Sequence, residues 1–393
     1  MGSLEDFIKE PEKIKKGDNM VVDKTKQVEK KKAQKNNKKS TNSEFLKDGL
    51  YYVVVTLAVD KSPVNLNDSS GNISLNKRVP VFSRGRAVEY PGMSQNAVKN
   101  SIIRAFVKEN PDLINDEEKH NSIPELIKRL SDGKKLKTPI EDIVRKYPTI
   151  DLNGYLFTVS PPVSKDSTFN TSVLAPRIFM DKGIPTVYVK QYSDIHISLS
   201  NDNPTPFYIE EVSGYYQFYM TIRADLIGMI PPVNSSDDIK YIDSEERYRR
   251  FRGLLKTLIS KWLIDEFGKS KTTVRVLQVA ISNIPLLDMP HDPAELLYSR
   301  LIHDNGNTKI SALIFLTDEF TNFINEKFKS LDYFRKISEE NSSIKTYENL
   351  INEIEGISKD KNNYNILIRN LTYTKQDIEL LDKWLKNERL KEH

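Results

Sequence analysis

Three short basic stretches carry the most suggestive chemistry in this chain. They are Asn72, Lys77 and Arg78 in GNISLNKRVPVF, Ser164 and Lys165 in PPVSKD, and Gly268, Lys269, Ser270 and Lys271 in FGKSKTTVRVL. Glycine lets a backbone approach a phosphate closely, exposed amides add neutral donors, and lysine or arginine supplies charge. Together such loops track a sugar-phosphate strand without reading its bases. Taken singly, each is an ordinary solvated turn; their weight comes from convergence on one topology.

Other chemistry is sparse. The chain has no cysteine, which excludes disulfides, thiolate metal sites and cysteine nucleophiles. His120, His196, His291, His303 and His393 fit no metal-ligand spacing, so neither a metal nor any other cofactor is expected. His196 sits between apolar strand positions and reads as a hydrogen-bonded sheet residue. There is no phosphate-binding glycine motif, HExxH or GxSxG, and the expectation is a protein that is not an enzyme. The catalytic alternative rests on Asp60 and Asp68, loop carboxylates that could face an RNA backbone or a divalent ion but that read first as turn formers.

The elements that must position these loops begin after a charged leader. Residues 1–43 hold 12 Lys, no Arg and 7 acidic residues, a net of +5, which leaves 47 basic against 48 acidic residues for the remainder. Between Lys24 and Lys39 there is almost nothing apolar to bury, and residues 1–47 read as a disordered basic tail with affinity for polyanions. No run is long and apolar enough for a membrane span and no signal peptide is apparent, so a cytoplasmic location away from membranes is expected. At 393 residues and 38% hydrophobic, the chain is long enough for a sizeable core.

The folded pattern opens with LYYVVVTLAV (50–59), a buried strand, and continues with a helix that starts after Ser94. Residues 111–150 read as short helices broken by prolines, and 151–180 as a projecting hairpin with Ser164, Lys165 and Asp166 at its tip. Two strands with period-two alternation follow. In the second, Tyr216, Phe218, Met220 and Ile222 face one way and Tyr215, Gln217, Tyr219, Thr221 and Arg223 the other. That second face either stacks bases or lies beneath the inserted segment; burial is the expected reading. A long helix begins near Ser244, with an apolar stripe that runs through Trp262 and Leu263, a basic opposite face and a cap at Gly268. A strand over 272–281 closes the series. The order strand, helix, strand, strand, helix, strand predicts an α+β fold of ferredoxin-like or RNA-recognition (βαββαβ) type over 48–316. A strand-like run at 310–316 ends that domain, and 317–393 reads as a helical C-terminal extension.

With these pieces in order, the chain resembles the backbone subunits of archaeal-type type I CRISPR interference (Cascade) complexes, of the RAMP superfamily and DevR-like. The motifs that carry the likeness are GNISLNKRVPVF, DLNGYLF with PPVSKD, FGKSKTTVRVL and NIPLLDMPHDP, over residues 50–316. The resemblance implies that the sheet domain is a palm and the hairpin a thumb. It places Asn72, Lys77 and Arg78 along a guide RNA, Ser164 and Lys165 at the thumb, and Gly268, Lys269, Ser270 and Lys271 on its phosphates. The implied function is non-catalytic: copies oligomerise along the CRISPR guide RNA and present it for pairing with target DNA, alongside other Cascade subunits and a helicase-nuclease. Ser164-Lys165-Asp166 replaces the arginines of many relatives, and a single glycine replaces a doubled one. The alternatives are an endoribonuclease of the same superfamily that cuts guide precursor or target RNA with Asp60 or Asp68, and a DNA-binding autoregulator that uses the lysine-rich tail.

Overall fold

The computed structural model of the chain describes residues 49–62, 68–70, 73–76, 78–83, 86–131, 136–157, 172–180, 184–185, 190–198, 205–232, 238–267, 273–286, 292–304, 306, 308–327 and 332–390. The first part carries β1 (Leu50–Ser62), β2 (Asp68–Ser70), β3 (Ile73–Leu75), β4 (Arg78–Ser83), β5 (Arg86–Pro91) and α1 (Gln95–Glu109). A run of short helices follows: α2 (Asp116–His120), α3 (Ile123–Leu130), α4 (Ile140–Lys146) and α5 (Pro148–Asn153). Then come β6 (Tyr155–Phe157), β7 (Ser172–Leu174), β8 (Ile178–Met180), β9 (Ile184–Pro185), β10 (Lys190–Ser198) and β11 (Thr205–Arg223). After β12 (Met229–Ile230) and β13 (Lys240–Tyr241), helices α6 (Ser244–Leu258) and α7 (Lys261–Phe267) lead to β14 (Thr273–Ser282). The C-terminal part comprises α8 (Pro293–His303), β15 (Ile310–Leu316), α9 (Asp318–Lys327), α10 (Asp332–Glu340), α11 (Tyr347–Lys359), β16 (Tyr364–Asn370) and α12 (Lys375–Leu390).

Mixed α+β architecture is therefore correct as read. Among the described residues the main sheet has ten strands in the order β16-β15-β14-β1-β11-β3-β2, with β8, β9 and β10 also paired along β11. β1 is central, antiparallel to β11 on one side and to β14 on the other, and this explains its unbroken apolar run. Tyr51, Val53, Val55, Leu57 and Val59 face a core built with α1, α6 and α12, where Phe106, Phe251 and Trp384 are all but inaccessible. Burying a side chain of Phe251's size contributes about 2–3 kcal/mol. Val54 and Ala58 face a second core closed by α8, α9, α10 and α11. The short helices α3 to α5 form a third core of their own with Leu174, Ile230 and Ile242.

The structure corrects several expectations. The region 317–390 is not wholly helical: β16 pairs parallel with β15, and β15 pairs with β14, so the C-terminal part widens the main sheet. The long helix breaks at Ile259-Ser260 into α6 and α7, and Trp262 is 41% exposed rather than part of the apolar stripe. Its N-cap is Asp243, whose carboxylate accepts from the amides of Glu245 and Glu246; Ser244 is the first helical residue. On the basic opposite face of α6, Arg247 and Arg250 are buried. The basic tail of residues 1–47 and the cap expected at Gly268 lie outside the described residues.

Candidate nucleic-acid interface

β1 ends where three chain segments meet. Asp60 pairs in register with Thr273, and Ser62 pairs with Val212 across a bulge that follows Val59. The bulge turns Lys61 to a φ of 40°, and one hydroxyl braces it: Ser213 Oγ accepts from the Lys61 amide at 2.9 Å and donates to Asp60 Oδ1 at 3.1 Å. Asp60, the carboxylate of the catalytic alternative, thus has a structural partner. Three residues further back along β11, buried Glu210 gathers the segment that leads into β4. Its carboxylate accepts from the Asn76 amide at 2.8 Å and from the Arg78 guanidinium, while its carbonyl accepts from Asn76 Nδ2 at 2.8 Å. A buried carboxylate that takes a backbone amide and a guanidinium fixes the loop backbone as well as the charge. Arg275, two residues in from Thr273, is held by both oxygens of Glu319 at 2.9 and 3.1 Å.

Of the nine residues expected to contact a nucleic acid, Arg78 is described and forms the ion pair with Glu210. Asn72, Lys77, Ser164, Lys165, Gly268, Lys269, Ser270 and Lys271 lie outside the described residues. Their flanks are informative. Ile73 pairs with Tyr208, Asn76 and Arg78 bind Glu210, and Thr273 pairs with Asp60, so the first and third basic segments enter or leave the sheet at the same end. The hairpin starts elsewhere. β6 and β7 pair antiparallel, and the Arg177 carbonyl just beyond them accepts from the Arg223 amide at 2.8 Å. Arg223 is eleven residues along β11 from Val212, or about 36 Å of strand.

That hairpin has a rigid base. Asp151, fully buried on α5, accepts from Arg177 at 3.0 Å, from Arg250 of α6 at 3.1 Å and from the Gly228 amide at 2.8 Å. Arg250 also binds the carbonyls of Val144 and Arg145, and Arg177 that of Met229. Burial lowers the pKa of Arg177 and Arg247, an effect that Asp151 opposes. Gly154, at the entry to β6, has a φ of 69°, and a Cβ there would come within 2.4 Å of the Pro176 backbone. The glycine in DLNGYLF is therefore required by the close pass between the hairpin's two ends. Sequence reasoning missed both Glu210 and Asp151; a charged residue inside a strand pattern was the only signal at Glu210.

The polar-aromatic face of β11 is largely closed, and not by the inserted segment. Gln217 and Tyr219 are buried and Tyr215 packs on Phe323 of α9 at 4.6 Å, so the C-terminal helices cover it. Through this face runs a buried polar relay. Tyr219 Oη donates to Gln217, Gln217 to Thr56, Thr56 to Gln278, and Gln278 to Asp292. The Tyr347 hydroxyl reaches Asp292 from the other side at 2.7 Å. Burial pushes the Asp292 carboxyl up from the ordinary aspartate range. Among the described residues no group of three His, Asp or Glu side chains is arranged to hold a metal ion. Likewise, no described helix is long and apolar enough to cross a membrane.

The family profile described as CRISPR-associated negative auto-regulator DevR/Csa2 matches residues 53–289. The chain belongs to this family. The matched segment spans β1 to β14, hence the sheet centre, the hairpin and all three basic stretches, and it stops before α8. No curated protein matches the chain. Among solved structures, it is similar to a chain of a CRISPR RNA-guided surveillance complex at 9% identity, with 69% of this chain and 90% of that one covered and a TM-score of 0.40. A chain of the same kind of complex in a pre-nicking state matches at 8% identity, 69% and 92% coverage and a TM-score of 0.39. A chain of a type IV-B CRISPR complex matches at 11% identity, 61% and 95% coverage and a TM-score of 0.34. In DevR/Csa2 terms, β15, β16 and helices α8 to α12 lie beyond the family segment.

Proposed function

We propose that this DevR/Csa2 family member is a non-catalytic subunit of a CRISPR surveillance complex, in which copies oligomerise along the guide RNA and present its bases for pairing with target DNA. The observation that carries this reading is the Glu210 clasp: Asn76 and Arg78 are fixed at the same end of β1 and β11 as the entry to β14, so two basic segments frame one edge. The pair with Glu210 occupies one nitrogen of the Arg78 guanidinium, and the remainder of that fork is suited to a phosphate oxygen. The central module is read as a ferredoxin-like palm, supported by the order β14-β1-β11-β10 with α1 and α6 on one face. The hairpin anchored by Asp151 is its thumb. A guide held by its backbone has already lost its ordering entropy when the target arrives, so pairing starts from a prearranged template.

The test is a titration of guide-length RNA into the full chain at rising salt, with mass measured at saturation and RNA integrity followed in Mg²⁺. Binding should weaken with a slope near −0.7 per phosphate neutralised, and several copies should load on one RNA. A salt-independent, one-to-one complex would overturn the reading. Cleavage abolished by Asp60→Ala or Asp68→Ala would replace it with the endoribonuclease.

A further inference from the structure

Between the α6–α7 elbow and the start of α12 lies a cleft of about 420 Å³, in the size range of small-ligand sites. Ser260, Lys261, Trp262 and Asp265 line one side and Lys375 the other. Two further charges in the lining neutralise each other, because Lys256 pairs with the Glu109 carboxylate at 3.2 Å and donates to its carbonyl at 2.6 Å. Lys261, Asp265 and Lys375 are exposed, and among the described residues they have no ion-pair partner. The cleft therefore offers two available cations and one available acid.

Two further observations point to a ligand. Ser260 is 8% exposed, and its hydroxyl is buried without a hydrogen-bond partner, a condition that folded interiors rarely tolerate. Trp262 is 41% exposed, yet its ring is held: the Lys108 ammonium lies 4.7 Å from the centroid and is itself fixed by buried Glu266. An indole braced in this way has a surface ready to stack on a planar group. A bare anion would not use the indole or Asp265, and an apolar ligand would not use the lysines.

We propose that this cleft binds a nucleotide unit, with the base stacked on Trp262, the phosphate between Lys261 and Lys375, the Ser260 hydroxyl as a further donor, and Asp265 accepting from a ribose hydroxyl or base amine. The lining includes none of the residues expected to contact the guide, and it is completed by α12, outside the family segment. A charged hydrogen bond to phosphate is stronger than a neutral one, so loss of either lysine should weaken binding about 10-fold.

Intrinsic fluorescence reads the site directly, since the chain's other tryptophan, Trp384, is fully buried. The full chain is titrated with AMP, inorganic phosphate and a short oligoadenylate. AMP should quench emission saturably, and Trp262→Phe should remove that quench. Lys261→Ala and Lys375→Ala should each weaken it, while Ser260→Ala weakens it with no fall in melting temperature. Phosphate alone should compete without quenching. Equal affinity for AMP and oligomer identifies a free nucleotide as the ligand, and tighter oligomer binding identifies a nucleic-acid strand. Arg78→Ala, which tests the guide-binding loops, should leave AMP quenching unaltered. Absence of a saturable quench, or a quench indifferent to the Lys261→Ala, Lys375→Ala double variant, overturns the assignment.

Discussion

Asp292 is the acceptor on which the buried relay ends, and its removal should be among the most damaging single changes in the chain. Its Oδ1 accepts from Tyr347 at 2.7 Å and from the Ala294 amide at 2.8 Å, and its Oδ2 from Gln278 at 3.1 Å. Asp292→Ala leaves three buried donors without an acceptor, one of them the Ala294 amide that it caps at the start of α8, each costing about 1–3 kcal/mol. Allowing for relaxation, the loss should be about 3–5 kcal/mol. Asp292→Asn keeps the acceptor for Tyr347 and Ala294 but points an amide at Gln278. The relay can answer by reversing: Gln278 and Gln217 turn over and the Thr56 proton moves across, so the loss should be nearer about 1–2 kcal/mol. The carboxyl has a raised pKa in the fold, so the folded state binds more protons and the wild type gains stability as pH falls toward the unfolded value. The deficit of Asp292→Asn relative to wild type should therefore widen from pH 7 to pH 5. Thermal melts of the three proteins check this, with hydrogen exchange of α8 and β14 locating the loss. An Asp292→Ala protein that melts with the wild type, or above Asp292→Asn, would refute the relay.

Glu210→Gln keeps the acceptor for the Asn76 amide but loses the ion pair with Arg78; stability should fall by about 1–2 kcal/mol and guide-RNA affinity several-fold despite the gain in positive charge, and tighter binding would show that Glu210 does not position the loop. Asp151→Ala strands two buried guanidinium groups, and limited proteolysis should reveal a loosened hairpin together with a loss of about 3–5 kcal/mol. Lys99, whose ammonium donates to the Asn153 carbonyl, is lowered by burial to about 8. The unfolded chain then holds the extra proton between pH 8 and the ordinary lysine value, so the contribution of Lys99 becomes more favourable as pH rises across that window. Lys99→Met should raise the melting temperature at pH 7, and the gain should shrink by pH 10. Deletion of residues 1–47 should reduce RNA affinity modestly in a filter-binding assay; complete loss would favour the autoregulator.

The local signals in the sequence were read well where neighbours in sequence are neighbours in space. The run at 50–59 announced a strand covered on both faces, and the alternation at 216–222 placed Phe218 and Met220 in the core correctly. Misreadings arose where the decisive partner is distant. Arg247 and Arg250 read only as a basic face of α6 until their partners are seen: the carbonyls of Ile227 and Asp225 for Arg247, and Asp151, about a hundred positions earlier, for Arg250. The same holds for Arg78, whose role changes once Glu210 is seen beside it, 132 residues away. Tyr219 is buried as expected, but its cover is the C-terminal helices, which no βαββαβ template contains, and not the inserted segment. β16 was legible in principle, since YNILIRN is a compact apolar run between asparagine-rich turns, but it sits among strongly charged helical segments that set the prevailing pattern.

The pairing of β15 onto β14, and of β16 onto β15, has a consequence for how such chains associate. An unsatisfied strand edge recruits any extended segment that drifts past, and β14 would present one if the polypeptide stopped where the family segment does. Here the same molecule fills that vacancy before another can. The sheet ends on β16 instead, so its outermost strand on this flank is supplied from beyond the family segment. A version cut back to its first 289 residues should precipitate, because it bares the β14 edge together with the second core that α8 to α11 close.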